Sequence, residues 1–473
     1  MKTSAGFSNQ VAVRSFLKHP FRFLPVICLA LPLCFFTQSQ SNKTGISVVG
    51  GLEFHNWAPT PPMGWNSWDC YGPTVVESEV KANADYMSKY LKKFGWQYIV
   101  VDIRWFVEND HAGGYNQDDP IYVMDEYGRL TPALNRFPSA SNGKGFKPLA
   151  DYVHSKGLKF GIHLMRGIPV IAVKNNTPIL GSDARARDVY SPEGQCIWLR
   201  DMYTVVGGKP GAQEYYNSIF QLYASWGIDF VKVDDLSGRS KEIEMVRKAI
   251  DGSGRPIVLS ISPGGDRPES IGFLKNNVNM WRTSNDFWDS WPQLKNQFAI
   301  LNTWAGLGVQ GCYPDGDMLP LGKIGLRAER GEPRWSGFTS DEQFTLMTLF
   351  AIFKSPLMFG GDLPSNDEFT LSLLTNKDVL RVNQNSANGR QIFRENDLIA
   401  WTADDPKTGD KYLALFNASD SESAVEMSVS FKQLGLEGSH IVKDLWRGEI
   451  LGKFTNLFKQ TIKRHGAALY RIH

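Results

Sequence analysis

Between about residues 60 and 375, short apolar runs rich in β-branched residues alternate with longer stretches whose apolar positions recur at helical spacing. Tyr98–Val101, Lys159–Ile162, Phe230–Val233, Ile257–Ile261 and Met280–Thr283 read as strands, and Glu77–Phe94, Lys147–Lys156, Gly211–Trp226 and Ser240–Ile250 as amphipathic helices. Strand then helix, repeated, predicts a parallel sheet with crossover helices, either closed into a (β/α)8 TIM barrel or opened into a doubly wound sheet. No glycine-rich dinucleotide loop follows a strand. Acidic and polar residues instead end several strands, where barrels carry their chemistry, so the closed α/β barrel is expected. From about Asp378 the period shortens to two in Gln391–Phe393, Leu398–Thr402, Tyr412–Asn417, Ala424–Phe431 and Ala467–Ile472, with turn residues such as Asn396-Asp397 between them. This predicts a C-terminal antiparallel β-sandwich domain over 378–473, after a barrel over 42–377.

The first 41 residues follow a different pattern. Arg14, Lys18 and Arg22 precede an apolar run, Phe23–Phe36, too short for a stable membrane anchor, and polar Thr37–Gln40 follows. An export signal is expected, with a periplasmic or extracellular destination. Cys34 offers a site for a lipid anchor, but the bulky Leu33 before it disfavours one. No later segment predicts a membrane span.

Composition narrows the partners. A formal charge of +2 with no long Lys/Arg run argues against nucleic acid. Fourteen tryptophans suit either a large core or a cleft that stacks on sugar rings. Beyond the leader only Cys70, Cys196 and Cys312 remain, too few and too far apart for a disulfide framework or a zinc cluster. An exported chain this poor in cysteine fits a bacterial source. No metal or organic cofactor is implied, and oligomerisation is left open.

Four strand ends carry candidate chemistry. Tyr98–Val101 runs directly into Asp102. Phe230–Asp234 places Lys232 and Asp234 on one side of a strand, with Asp235 turned away. Val258–Pro263 contains Ser260 and Ser262, and Met280–Asp286 contains Arg282 and Asp286. Carboxylates at the top of inward-facing strands must be paired, solvated or functional. Two converging on one pocket suit glycoside hydrolysis, but a strand also ends in Asp as a helix cap or turn former, and spacing alone leaves both readings open.

Several ordered motifs add to this: Pro62-Met63-Gly64-Trp65-Asn66-Ser67-Trp68, Asp125-Glu126-Tyr127-Gly128-Arg129-Leu130, Phe137-Pro138-Ser139, Gly157-Leu158-Lys159-Phe160-Gly161-Ile162, Trp226–Asp234, Trp281-Arg282 with Asp286, Asp315-Gly316-Asp317-Met318-Leu319, and Lys377-Asp378-Val379 with Asn383-Gln384. Together they resemble glycoside hydrolase family 27, the α-galactosidase family of clan D. The resemblance implies a retaining exo-glycosidase acting on a carbohydrate substrate. Asp234 would be the nucleophile and Asp286 the acid/base. Lys232 and Arg282 would bind sugar hydroxyls and keep Asp234 ionised. Trp68 would form an aromatic platform, Asp102 would grip the far hydroxyls, and Asp317 and Met318 would form the wall. His163 stands where relatives often carry an aromatic, and as an inward polar group it is either a sugar contact or a satisfied wall residue. Trp65 is expected in the core, Asp315 in a turn or behind the pocket, and Asp85 and Asp289 on solvated faces or caps.

The chain also departs from the family pattern. Galactosidases of the family usually show two adjacent acids after the second strand, for the axial 4-hydroxyl and the 6-hydroxyl; here Asp102 is followed by Ile103 and Arg104. Ser262 stands where they often have Glu, a change that resembles members accepting a 2-acetamido group. Leu236 replaces the usual pocket cysteine, and Met165–Asp201 reads as an enlarged loop over the cleft. Terminal α-D-galactose is the leading expectation, with β-L-arabinopyranose next and N-acetylgalactosamine or an α-1,6-glucan after it. A non-catalytic carbohydrate-binding barrel is the alternative of another class; it has no need of the acid Asp286. A metal-dependent hydrolase lacks the necessary His cluster.

Overall fold

The computed structural model describes residues 52–473, so the expected export signal lies outside the described residues. Eight parallel strands, β1 (Met63–Asn66), β2 (Tyr98–Val101), β3 (Lys159–Met165), β4 (Phe230–Asp234), β5 (Val258–Ile261), β6 (Met280–Arg282), β7 (Tyr313–Asp315) and β8 (Leu357–Phe359), form one sheet. Its order is β7-β6-β5-β4-β3-β2-β1-β8. Each strand lies beside its sequence neighbour, and β8 pairs with β1, which is the circular order of a barrel. The seam between β7 and β8 is spanned by Leu319, whose N–H donates to the Met358 carbonyl at 2.7 Å and which bridges to Phe359.

On the face turned away from the barrel axis the strands bury Ile99, Val101, Ile162, Val231, Val233 and Leu259 beneath the surrounding helices, which is why their sequences are continuous apolar runs rather than alternating ones. Gly64 is required by close approach: a Cβ there would lie 2.6 Å from Tyr98 Cβ and 2.7 Å from the Tyr98 carbonyl, too near for β1 to pair with β2. Strands β2 to β6 fall within a few residues of the expected runs. The helix expected over Glu77–Phe94 is α-helical only from Glu77 to Tyr86; a π turn (Met87–Leu91) and a 3-10 turn (Lys92–Phe94) follow, ending at Gly95 with φ +101°.

Helix α1 (Glu77–Tyr86) follows β1. After it come α2 (Lys147–Ser155), α3 (Ala212–Trp226), α4 (Ser240–Gly252), α5 (Ile271–Asn277), α6 (Trp291–Trp304) and α7 (Ser340–Phe353), each after the next strand in turn. Three connections are long, one of them residues 316–339 between β7 and α7. Residues 102–146 join β2 to α2, and residues 166–211, which include a small antiparallel sheet (Ile168–Pro169, Tyr190–Ser191, Met202–Val205), join β3 to α3. Among the described residues no helix is long and apolar enough to cross a membrane.

Helix Lys377–Asn385 leads into the C-terminal sheets, which begin at Ala387. Strands β9 (Ala387–Glu395), β10 (Leu398–Asp404), β11 (Lys411–Asn417), β12 (Val425–Ser430), β13 (Ser439–Asp444), β14 (Ile450–Thr455), β15 (Leu457–Ile462) and β16 (Ala467–Ile472) form a six-stranded sheet, β9-β10-β11-β16-β13-β14, and a two-stranded one, β12-β15. Asn396 and Asp397 both have positive φ, as a two-residue hairpin turn requires. The central strands are buried on both faces by strict alternation. Ile399, Trp401, Ala403, Tyr412, Ala414 and Phe416 join the apolar cluster that continues from the barrel, while Ala400, Leu413, Leu415, Tyr470 and Ile472 form the sandwich's own core.

The ring of Phe416 meets Phe298 of α6 edge-on at 4.9 Å, inside that shared cluster. Phe416→Ala is therefore expected to cost about 3–5 kcal/mol. Calorimetry should show barrel and sandwich still melting together at a lower temperature. A separate sandwich transition, with the barrel's melting unchanged, would show that the shared cluster does not couple them.

Candidate active site

The expected strand-end residues converge at the C-terminal mouth of the barrel. Trp68, Asp102, Lys232, Asp234, Arg282, Asp286, Asp317 and Met318 all line one cleft of about 590 Å³. Alternation on β4 points Lys232 and Asp234 into it, and the Lys232 ammonium lies 3.0 Å from Asp102 Oδ2 and 3.7 Å from Asp234 Oδ2. Asp102 is held from every side. It accepts from Asn66 Nδ2 at 2.7 Å and from the Ile103 N–H at 2.7 Å, and its own N–H donates to Ser67 Oγ at 2.9 Å. On the opposite wall Arg282 pairs with Asp317 at 2.5 Å and Asp286 at 3.2 Å. Asp317, at φ +92°, is fixed by N–H donors from Phe287 and Met318, both at 2.7 Å.

Burial alone would raise the Asp234 carboxyl, but Lys232, His163 and Arg282 outweigh it and hold the group well below the usual carboxylate range. Asp102 is lowered in the same way, with Lys232 and His163 prevailing over burial. Asp286 differs in setting: its side chain is 51% exposed at the rim and meets only Arg282. One carboxylate is thus deep and ionised, the other shallow and accessible. A nitrogen of His163 and an oxygen each of Asp102 and Asp234 lie within 4.8 Å of one another, a grouping that would suit a divalent ion. The Lys232 ammonium already stands there as the counter-charge.

His163, read as either a sugar contact or a satisfied wall residue, and Ser262, read as bordering the sugar's 2-position, sit behind Asp234. His163 is fully buried with Nε2 2.8 Å from Asp234 Oδ2, and the Ser262 hydroxyl donates to Asp234 Oδ1. Both side chains point into the barrel, where the acceptor they meet is the Asp234 carboxylate. Asp235, at φ +56°, turns away from Lys232 and pairs with Arg166 at 2.7 Å. Trp65 is a core residue whose indole N–H donates to the Gly361 carbonyl at 2.8 Å. Asp315 lies behind the pocket and accepts from the Asp317 N–H at 2.9 Å; burial lifts its carboxyl to about 6 against the pull of Arg282. Asp289 is not solvated: its nearly buried side chain pairs with Arg334 at 2.7 Å.

The long connections supply wall residues that no motif announced. Tyr115, Ile197, Trp198, Glu329 and Arg330 line the cleft, and Tyr115 lies between Trp68 and Trp198, with ring centroids 5.7 and 6.0 Å away. Arg104 supports this aromatic wall rather than facing the cleft. Its fully buried guanidinium pairs with Asp110 and Asp201, both at 3.0 Å, and lies 5.4 Å from the centre of the Tyr115 ring. Ile103, only 1% exposed, forms the wall beside Asp102. The segment read as an enlarged loop, Met165–Asp201, contributes Ile197 and Trp198 to the cleft wall. Arg166 anchors it, binding Asp235, Glu242, Thr204 Oγ1 and the Gly194 carbonyl at once.

Residues 196–385 match the Melibiase_2 family, described as α-galactosidase A, and residues 395–472 match Melibiase_C, the α-galactosidase C-terminal β-sandwich domain. Among solved structures, a GH27 β-L-arabinopyranosidase from Geobacillus stearothermophilus, captured with arabinose, is 52% identical with a TM-score of 0.87, covering 89% of this chain and 99% of that one. A Bacillus halodurans structure with a provisional α-N-acetylgalactosaminidase assignment is 46% identical with a TM-score of 0.79, covering 87% of this chain and 97% of that one. The α-galactosidase of Cyamopsis tetragonoloba is 29% identical, covering 87% of this chain and 85% of that enzyme.

The site makes one electrostatic prediction. His163→Leu removes a donor from Asp234, so the Asp234 carboxyl should titrate at higher pH than in the unaltered protein. Carboxyl 13C NMR over a pH series checks this. An unchanged Asp234 titration would show that Lys232 and Arg282 suffice without the imidazole.

Proposed function

The chain belongs to glycoside hydrolase family 27, and on that premise we propose that it releases terminal β-L-arabinopyranosyl residues with retention of configuration, taking α-D-galactosides as poorer substrates. Asp234, ionised and aimed into the cleft, attacks the anomeric carbon. Asp286 protonates the departing oxygen and then deprotonates the water that hydrolyses the glycosyl-enzyme. The environments suit these roles. A nucleophile gains from fixed positive neighbours, and a group that must trade protons with a leaving group and with water gains from its place at the rim.

The observation that carries the choice of sugar is Ile103. It occupies the wall next to Asp102, where the galactosidase pattern has a second acid for the 4- and 6-hydroxyls. Arg104 offers no substitute, since a guanidinium only donates and this one is buried against Asp110 and Asp201. β-L-Arabinopyranose has the ring stereochemistry of galactose without the 6-carbon, so it brings no 6-hydroxyl to leave unpaired against an apolar wall. The 52% identical arabinopyranosidase supports the same order. Galactose, the leading expectation from the family motifs, becomes the second reading; the Cyamopsis enzyme favours it.

The chemistry is tested at Asp234. Asp234→Ala should abolish turnover, and added azide should yield a glycosyl azide of configuration opposite to the substrate, since a small anion then attacks from the vacated face. Near-normal activity in Asp234→Ala, with Asp235→Ala inactive, would reassign the nucleophile. The sugar is tested with matched nitrophenyl glycosides. The unaltered protein should prefer the arabinopyranoside, and Ile103→Asp should shift the ratio of kcat/KM values towards galactoside by about 10- to 150-fold, the worth of one charge-assisted hydrogen bond of ~1.5–3 kcal/mol. A thousandfold preference for galactoside before substitution would mean that another residue supplies the acceptor.

A further inference from the structure

Tyr115 stands outside every motif that marks the family, in the β2–α2 connection, yet it lines the cleft with Trp68, Asp102 and Ile103. Its half-buried side chain ends in a hydroxyl that has no hydrogen-bond partner among the described residues. We propose that Tyr115 is a sugar-binding residue whose hydroxyl donates to the 4-hydroxyl of the bound sugar, on the side of the pocket where Ile103 leaves no second acid. It rests on the reading of the cleft as a β-L-arabinopyranoside site and names a contact within it.

That side of the pocket calls for a neutral donor. An ionised Asp102 only accepts, so a sugar hydroxyl that gives it a proton still has lone pairs to satisfy, and the apolar Ile103 beside it offers nothing. A phenol supplies the donor without adding charge. Burial first, then Asp234, Asp102, Glu329 and Asp286, push the Tyr115 phenol well above its ordinary range, so it keeps its proton at neutral pH. The ring is also placed in advance. Trp68 and Trp198 flank it at centroid distances of 5.7 and 6.0 Å, and Arg104, next to Ile103 in the chain, lies 5.4 Å from its centre, on the Asp102 side of the cleft. The backbone around Tyr115 is tied to all three long connections. The Asn116 N–H donates to Asp110 Oδ1 at 2.9 Å, and the Asn116 carbonyl accepts from Arg104 Nη2 at 2.8 Å. The Gly113 N–H donates to the Ala328 carbonyl at 3.0 Å, and Gln117 Nε2 to the Trp198 carbonyl at 3.1 Å. A donor held in this way loses little freedom when the sugar arrives. A purely structural tyrosine would bond its hydroxyl to the protein, and this one is left open to the cleft.

Tyr115→Phe keeps the ring and its stacking and removes only the oxygen. On nitrophenyl β-L-arabinopyranoside it should lower kcat/KM about three- to tenfold and raise the inhibition constant of free L-arabinose by a similar factor, with Tm unchanged. On the matching 4-deoxy glycoside, which lacks the partner hydroxyl, the variant and the unaltered protein should agree within about twofold. Unchanged kcat/KM and inhibition in Tyr115→Phe would overturn the assignment, and so would a lowered Tm, which would make the hydroxyl a structural one. A loss that persists undiminished on the 4-deoxy substrate would overturn it as well, by putting the contact elsewhere on the sugar. If the unaltered protein prefers the galactoside, the arabinopyranoside reading fails by itself. The galactoside carries the same 4-hydroxyl, so the loss in Tyr115→Phe should then appear on that substrate, and its absence there would overturn the role of Tyr115.

Discussion

The Lys232 ammonium between Asp102 and Asp234 is the charge on which the barrel mouth depends. Moving a carboxylate from water into a protein interior costs several kcal/mol even after relaxation, and here two such groups are buried side by side. Without a cation between them one would have to take up a proton. Lys232 is two residues before Asp234 on the same face of β4, and its register partners on the adjoining strands are His163 and Ser260. The strand's period of two therefore builds the pair without help from any loop. Arg282 repeats the arrangement across the cleft with Asp317 and Asp286.

Once those charges are set, much of the remaining architecture serves to hold them. Asp102 and Asp234 have hydrogen-bond partners on both oxygens, so neither turns freely when a ligand enters. The loops above are fixed by buried arginines, Arg104 through Asp110 and Asp201, and Arg166 through Asp235 and Glu242. Removing one partner from such a cluster leaves an uncompensated buried charge, which makes these ion pairs far more consequential than exposed ones. Arg166 also links Asp235, the residue after Asp234, to the Gly194 carbonyl in the β3–α3 connection, so that connection and the proposed nucleophile share one anchor.

Much of this was legible in the sequence because barrel strands advertise themselves. Apolar runs such as Tyr98–Val101 end abruptly in charge, and alternation then tells which side chains face inward. Strands β1, β7 and β8 escaped notice for physical reasons. They are three or four residues long, β1 contains Gly64 and β7 contains Pro314, and their pairing is imposed by the closed sheet rather than by local preference. The π turn at Met87–Leu91 has no local signal either. At the site, the inward direction of His163 and Ser262 was readable but not their partner, since the nearest acceptor is a matter of tertiary distance. Tyr115, Trp198 and Glu329 lie in long connections with neither period nor motif, and only the folded loops bring them to the cleft.

Catalysis and specificity therefore rest on different supports. The groups proposed to act on the anomeric carbon stand on or just beyond strand ends, where the position of each is dictated by register and paid for by buried ion pairs, so a substitution there disturbs the fold's own electrostatics. The walls proposed to choose the sugar stand on connections. Ile103 is the first residue but one after β2, Tyr115 lies within the β2–α2 connection, and Trp198 within the β3–α3 connection. A change at such a position alters one contact and leaves the Lys232 and Arg282 pairs intact. That separation suits a family whose members' names specify arabinopyranose, galactose and N-acetylgalactosamine. It also explains why the family is readable from strand-end motifs, whereas the substrate has to be argued from the chemistry of single wall residues.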